Sequence, residues 1–139
     1  MENQIFEFVG NHIVLATAWF VIGTLLIISI NKGAASSVSS QQLVNFINRE
    51  EALVIDIRGS ADFKNNHIAG SKNIQLTQLS DQMSKLEKWK NKPIVVVCNA
   101  GVQASGACSQ LKKSGFEQVY KLKGGIQTWL ADSLPLTKG

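Results

Sequence analysis

The tightest constraint in this chain is the stretch from Pro93 to Ala104. Ile94-Val95-Val96-Val97-Cys98 is an apolar, β-branched run without a polar break. Such a run is read as a strand buried on both faces, the habit of a parallel sheet flanked by helices. A cysteine closes the run and a short loop containing Gly101 follows. Gln103 to Lys113 then shows Ala104, Ala107, Cys108 and Leu111 at helical spacing. A thiol is thereby predicted at the carboxyl edge of a central strand, beside the amino end of a helix, where ligands collect in open α/β sheets. Unpaired N–H groups at a helix start favour the thiolate, the nucleophilic form. The competing reading is that Cys98 is a small buried hydrophobe at a strand end.

The rest of the chain repeats the alternation. Val38 begins an edge strand, and Ser39 or Ser40 caps a helix with Leu43, Val44, Phe46 and Ile47 on one face. Ala52 to Ile57 is a buried strand, Ser60 caps a brief helix with Phe63, and Ile68 to Ile74 turns at Gly70 into another short strand. The pattern predicts one helix over Thr77 to Lys90 with Leu79, Met83, Leu86 and Trp89 inward. Val119 to Leu122 is a fifth strand, and Gly124-Gly125 turns into a helix carrying Ile126, Trp129 and Leu130. Strands alternating with helices predict an α/β fold, a parallel five-stranded sheet with helices on both faces.

Ahead of that domain lies a different kind of segment. From Ile13 to Ile30 no residue is charged, and the length approaches the ~20 residues of a bilayer-spanning helix. A secretory signal would want a basic start, and here the start carries Glu2 and Glu7. The chain divides into an N-terminal segment 1–12, a transmembrane helix 13–31, a linker 32–37 and a domain 38–139. All 14 basic residues stand from Lys32 onward against 8 acidic ones there, a net +6. With Lys32 and then Arg49 on the carboxyl side and no Lys or Arg on the other, the positive-inside bias places the domain in the cytoplasm. The lysines are scattered and lack interleaved aromatics, which counts against nucleic acid as a partner. Cys98 and Cys108, the two cysteines, form neither a disulfide framework nor a metal-ligand pattern. No metal and no cofactor is implied.

Three stretches, in order, carry a resemblance. Cys98-Asn99-Ala100-Gly101-Val102-Gln103 is similar to the active-site loop of the rhodanese (thiosulfate sulfurtransferase) family. Asp56-Ile57-Arg58 through Asp62-Phe63 to His67-Ile68-Ala69-Gly70-Ser71-Lys72-Asn73-Ile74 resembles that family's first motif. Leu122-Lys123-Gly124-Gly125, then Trp129 and Leu134-Pro135, resembles its last. The chain as a whole resembles single-anchor rhodaneses of the bacterial inner membrane.

The resemblance implies sulfur transfer. Cys98 would be the nucleophile, taking a sulfur from thiosulfate or a persulfide donor and passing it to a thiol or cyanide. The loop amides of Asn99, Ala100, Gly101, Val102, Gln103 and Ala104 would hold the anionic intermediate. Gln103 departs from the family, which often has Arg there, so a charge suited to thiosulfate is missing. Arg58 could supply it. Asp56 is expected in a structural ion pair near the site, and His67 is expected to be structural. Arg at neither 103 nor 104 counts against phosphatase or arsenate reductase chemistry. The second reading is a membrane-anchored binding module that docks on another protein, a membrane protein among the options, with weak or no catalysis.

Overall fold

The computed structural model describes residues 1–33 and 35–139 and divides into two compact units, 1–34 and 35–139. Ala34, in the middle of the expected linker, lies outside the described residues.

The first unit is two helices, α1 (Glu2–Asn11) and α2 (Ile13–Gly33). Within α2, Ile13–Ile30 is 18 residues long and apolar enough to cross a membrane. At 1.5 Å per residue these span about 27 Å, close to a bilayer's hydrocarbon thickness of ~30 Å. Trp19, Phe20 and Ile30 are each more than two-thirds exposed, and no residue of Ile13–Ile30 is buried. Thr17 and Thr24 return their hydroxyls to the carbonyls of Val14 and Phe20, which leaves no unpaired donor on those side chains.

In the second unit, β1 (Ser36–Val38), β2 (Leu53–Asp56), β3 (Lys72–Asn73), β4 (Ile94–Val97) and β5 (Val119–Leu122) form one sheet in the order β1-β5-β4-β2-β3. Every pairing is parallel. Around it lie α3 (Ser40–Glu50), α4 (Ser60–Asn65), α5 (Leu79–Gln82), α6 (Ala104–Lys113) and α7 (Gly125–Ala131). β4 is central because its residues are apolar on both faces. Ile94, Val96 and Cys98 pack with Ala104, Ala107 and Leu111 of α6, while Val95 and Val97 pack with Leu43 of α3 and with Ile126 and Trp129 of α7. This is the α/β architecture the alternation predicted.

Several details differ from the sequence reading. Ser36 and Ser37, read as linker, pair with Tyr120 and Lys121 as strand residues. Ser39 is the cap of α3, in a reciprocal capping box with Gln42. At α4 the cap position falls on Gly59, and Ser60 is the first helical residue. The expected helix over Thr77 to Lys90 is broken into a 3₁₀ turn at Leu76–Gln78, one α turn in α5, and a 3₁₀ helix at Met83–Trp89. Met83, Leu86 and Trp89 repeat every third residue, so a helix of three residues per turn puts all three on the core. The strand expected up to Ile74 is reduced to Lys72–Asn73.

Candidate functional site

The carboxyl edge of β4 ends at Cys98, and residues 98–103 fold back into the start of α6. The backbone N–H of Gly101 donates to Cys98 Sγ at 2.9 Å. That bond needs the chain to double back within three residues, and Gly101 provides it with φ +89°. The N–H groups of Ala100, Val102, Gln103 and Ala104 have no protein acceptor among the described residues. Cys98 is 2% exposed and floors a hollow of about 180 Å³ whose other walls are Asn99, Ala100, Val102 and Gln103. The sulfur is thus recessed yet open to a small molecule through the hollow. An anion extending one atom beyond Sγ would meet several unpaired amide donors, as in anion-binding nests.

A second layer holds the loop. Gly124 and Gly125, with φ +73° and +61°, turn β5 into α7 against the back of residues 98 and 99. Ile126 N–H donates to the Cys98 carbonyl at 3.0 Å and Gln127 N–H to the Asn99 carbonyl at 3.2 Å. The carbonyls face α7, which frees the other side of the loop for its amides. Sequence reasoning marked the Gly pair as a turn but missed this grip. The signal was two consecutive glycines directly before a helix, where one suffices for a turn.

Of the expected site residues, the structure gathers Cys98, Asn99, Ala100, Val102 and Gln103 around the hollow, with Gly101 beneath them. Val102 stands 79% exposed at the loop's rim. Gln103 occupies the cap position of α6 and makes no side-chain cap bond. The side chain of Ala104 is buried in the core, so this residue offers only its backbone.

Arg58 is not brought to the hollow. Its guanidinium is buried and bonded elsewhere: Nη2 meets Asp56 Oδ2 at 2.8 Å, Nε meets both Asp56 oxygens at 3.1 Å, and the Asn66 carbonyl takes a further bond. Asp56 also accepts the Arg58 backbone N–H at 3.0 Å. Burial of both partners forces this closure, because either charge alone would be left unsolvated. The idea that Arg58 replaces the charge missing at 103 is therefore corrected. Asn73 Nδ2 ties the same segment down through the carbonyls of Asp56 and Arg58. His67 is held by Nδ1–H donating to the Phe63 carbonyl at 2.7 Å, by stacking on Phe63, and by a two-bond bridge to Thr137. Cys108 is fully buried behind the loop, where desolvation pushes its thiol from 9.0 up to about 11.

A five-stranded parallel sheet whose central strand delivers a cysteine into a loop that returns a backbone amide to its sulfur defines a rhodanese-type α/β domain. The Rhodanese-like domain model matches residues 39–132, and the chain belongs to that family. It is 36% identical over 141 residues to the protein YibN of Escherichia coli K12, covering 99% of each chain. It is 33% identical over 98 residues to the thiosulfate sulfurtransferase GlpE of Pseudoalteromonas translucida, covering 70% of this chain and 91% of that one. Among solved structures, a rhodanese-related protein of Thermoplasma volcanium superposes with a TM-score of 0.66 at 26% identity, covering 73% of this chain and 97% of the other.

Proposed function

We propose that this chain is a sulfurtransferase or persulfide carrier, tethered to the inner membrane by α2 with its domain in the cytoplasm, and that Cys98 carries the sulfur. The Cys98 thiolate attacks the outer sulfur of a donor. With thiosulfate, an S–S bond forms to Sγ, the old S–S bond breaks, and sulfite leaves with the electron pair. The terminal sulfur of the new persulfide is anionic, and the unpaired amides of residues 100, 102, 103 and 104 are the donors available to it. An acceptor thiolate or cyanide then attacks that sulfur, and Sγ departs as thiolate, which completes a ping-pong cycle.

The observation that carries this reading is the Gly101 N–H bonded to Sγ at the floor of an open hollow. Neutral Gln103 and the absence of Arg58 from the hollow argue that persulfides serve better than thiosulfate as donors. The test is intact mass of the full chain in detergent after exposure to thiosulfate or a small persulfide. A gain of one sulfur atom, reversed by cyanide and absent in Cys98→Ser, is the expected result. No gain with any donor refutes transfer and leaves the docking module, which the neutral loop would suit. Resistance of the protein to carbonate extraction from membranes, lost on deletion of residues 1–33, tests the tether.

A further inference from the structure

The loop 98–103 has a second flank. A hollow of about 370 Å³ opens beside it and shares Ala100 and Val102 with the Cys98 hollow. Its walls include Ser37 on β1, Ser105 in the first turn of α6, Lys121 on β5 and Lys123 just beyond. Both charged residues of this lining are lysines. Lys121 is half-buried and its Nζ donates to Ser105 Oγ at 2.9 Å. Neither lysine forms an ion pair among the described residues. A half-buried ammonium facing a hydroxyl has lost hydration without gaining a countercharge, so an anion entering the hollow is favoured. The backbone under that ammonium is fixed, because Lys121 is paired to Val96 on one side and Ser37 on the other. The sulfur hollow itself has no cationic residue in its walls. The positive charge that Gln103 does not supply thus lies across the rim formed by Ala100 and Val102.

Resting on the sulfur-transfer reading above, we infer that this flank hollow binds the carboxylate of a small acceptor thiol, with Lys121 as the specificity-determining residue. A carboxylate-bearing thiol rather than thiosulfate is indicated by reach. In thiosulfate the charged oxygens sit on the atom bonded to the transferred sulfur, so the whole ion occupies the Cys98 hollow. A thiol with a carboxylate several atoms away spans the rim and fills both. Its thiolate attacks the terminal sulfur of the Cys98 persulfide, the bond to Sγ breaks, Sγ leaves with the electron pair, and the acceptor departs as a persulfide.

The full chain in detergent, loaded with persulfide, is discharged by 3-mercaptopropionate, 2-mercaptoethanol or 2-aminoethanethiol at equal thiolate concentration, followed by intact mass. The anionic thiol should lead the neutral one by about fivefold, the worth of one exposed ion pair, and the lead should shrink with added salt. Lys121→Gln should bring the ratio to near one, whereas Lys85→Gln, on the 3₁₀ helix, should keep it. A second arm needs no transfer: 3-(methylthio)propionate, which cannot accept sulfur, should shift the amide resonances of Ser105 and Lys121, and not in Lys121→Gln. A charge preference that survives Lys121→Gln, or absence of those shifts, overturns the inference. Shifts in a chain that never loads sulfur would instead overturn the transfer reading and leave the anion site standing.

Discussion

Gly125→Ala should disturb the cysteine loop without altering any residue of it. A Cβ at residue 125 would fall on the Cys98 carbonyl oxygen and lie 2.7 Å from the Asn99 carbonyl oxygen. Unstrained contacts of this kind sit near ~3.5 Å, so the loop must withdraw by roughly 0.8 Å at the Asn99 carbonyl and by more than an ångström at the Cys98 carbonyl. Withdrawal weakens the bonds from Ile126 and Gln127 to the loop carbonyls, each worth about 1 kcal/mol. Holding a non-glycine residue at φ +61° adds about 1 kcal/mol. The sum is about 3 kcal/mol, which in a domain of this size lowers the melting midpoint by roughly 10 °C or more. A shift of the loop by about an ångström also misplaces Sγ against its amide donors, so loading should slow by about tenfold to a hundredfold. The assay pairs a thermal melt of the full chain in detergent, read by tryptophan fluorescence, with loading rates measured well below the midpoint. A variant that melts within about 2 °C of the parent, roughly the ±0.5 kcal/mol of a neutral surface change, and loads at the parent rate would refute the claim that α7 grips the loop. Gly124→Ala is the internal comparison: its Cβ meets Thr128 Oγ1, which rotation can move, and Thr128 Cβ at 2.8 Å, which it cannot, but neither belongs to the cysteine loop, so it should lower the melting midpoint with a smaller effect on loading.

Asp56→Ala leaves the Arg58 guanidinium buried without its partner and should cost about 3–5 kcal/mol, read as a drop in the urea midpoint; a cost below 1 kcal/mol would show that the pair is not a structural clamp. Because Cys108 is pushed up to about 11 from 9.0, the folded state holds that proton more tightly than the unfolded chain. Stability should therefore fall by about 2 kcal/mol as pH rises from 9 to 11, a slope that Cys108→Ala lacks when the two are compared by urea unfolding. The same Cys108→Ala should still load one sulfur atom by intact mass, since Sγ of Cys108 is buried and donates to the Tyr120 carbonyl. Gln103→Arg should raise kcat/KM for thiosulfate by about tenfold, with less change for a neutral persulfide; an equal gain for both donors would mean that residue 103 acts on the loop's shape rather than on donor charge.

Much of this architecture was legible because burial writes itself into residue order. Ile94 to Cys98 could only be a strand covered on both faces, and the alternation around it could only be a parallel sheet. The recessed cysteine at the sheet edge followed from the same run, and the uncharged Ile13–Ile30 stretch announced a helix of membrane-crossing length. Local spacing was less reliable where two periods fit the same residues. Met83, Leu86 and Trp89 suit either an α-helix or a 3₁₀ helix at the scale of one turn, and their packing in the core goes with the tighter one, while Leu79 stays in the α turn before it.

What the sequence by itself determined is the alternation, the placement of Cys98, and the absence of a charge at residue 103, since each depends on residue type and near-neighbour order. Tertiary structure alone decided three other matters: that Arg58 closes on Asp56 and Asn66, that Gly125 and the start of α7 hold the loop from behind, and that Lys121 faces its flank. The physical reason is one of range. Burial pattern is a property of adjacent residues, whereas the donors to the Cys98 and Asn99 carbonyls come from a later helix, and even the nearby partners of Arg58 are selected only when burial denies its guanidinium water.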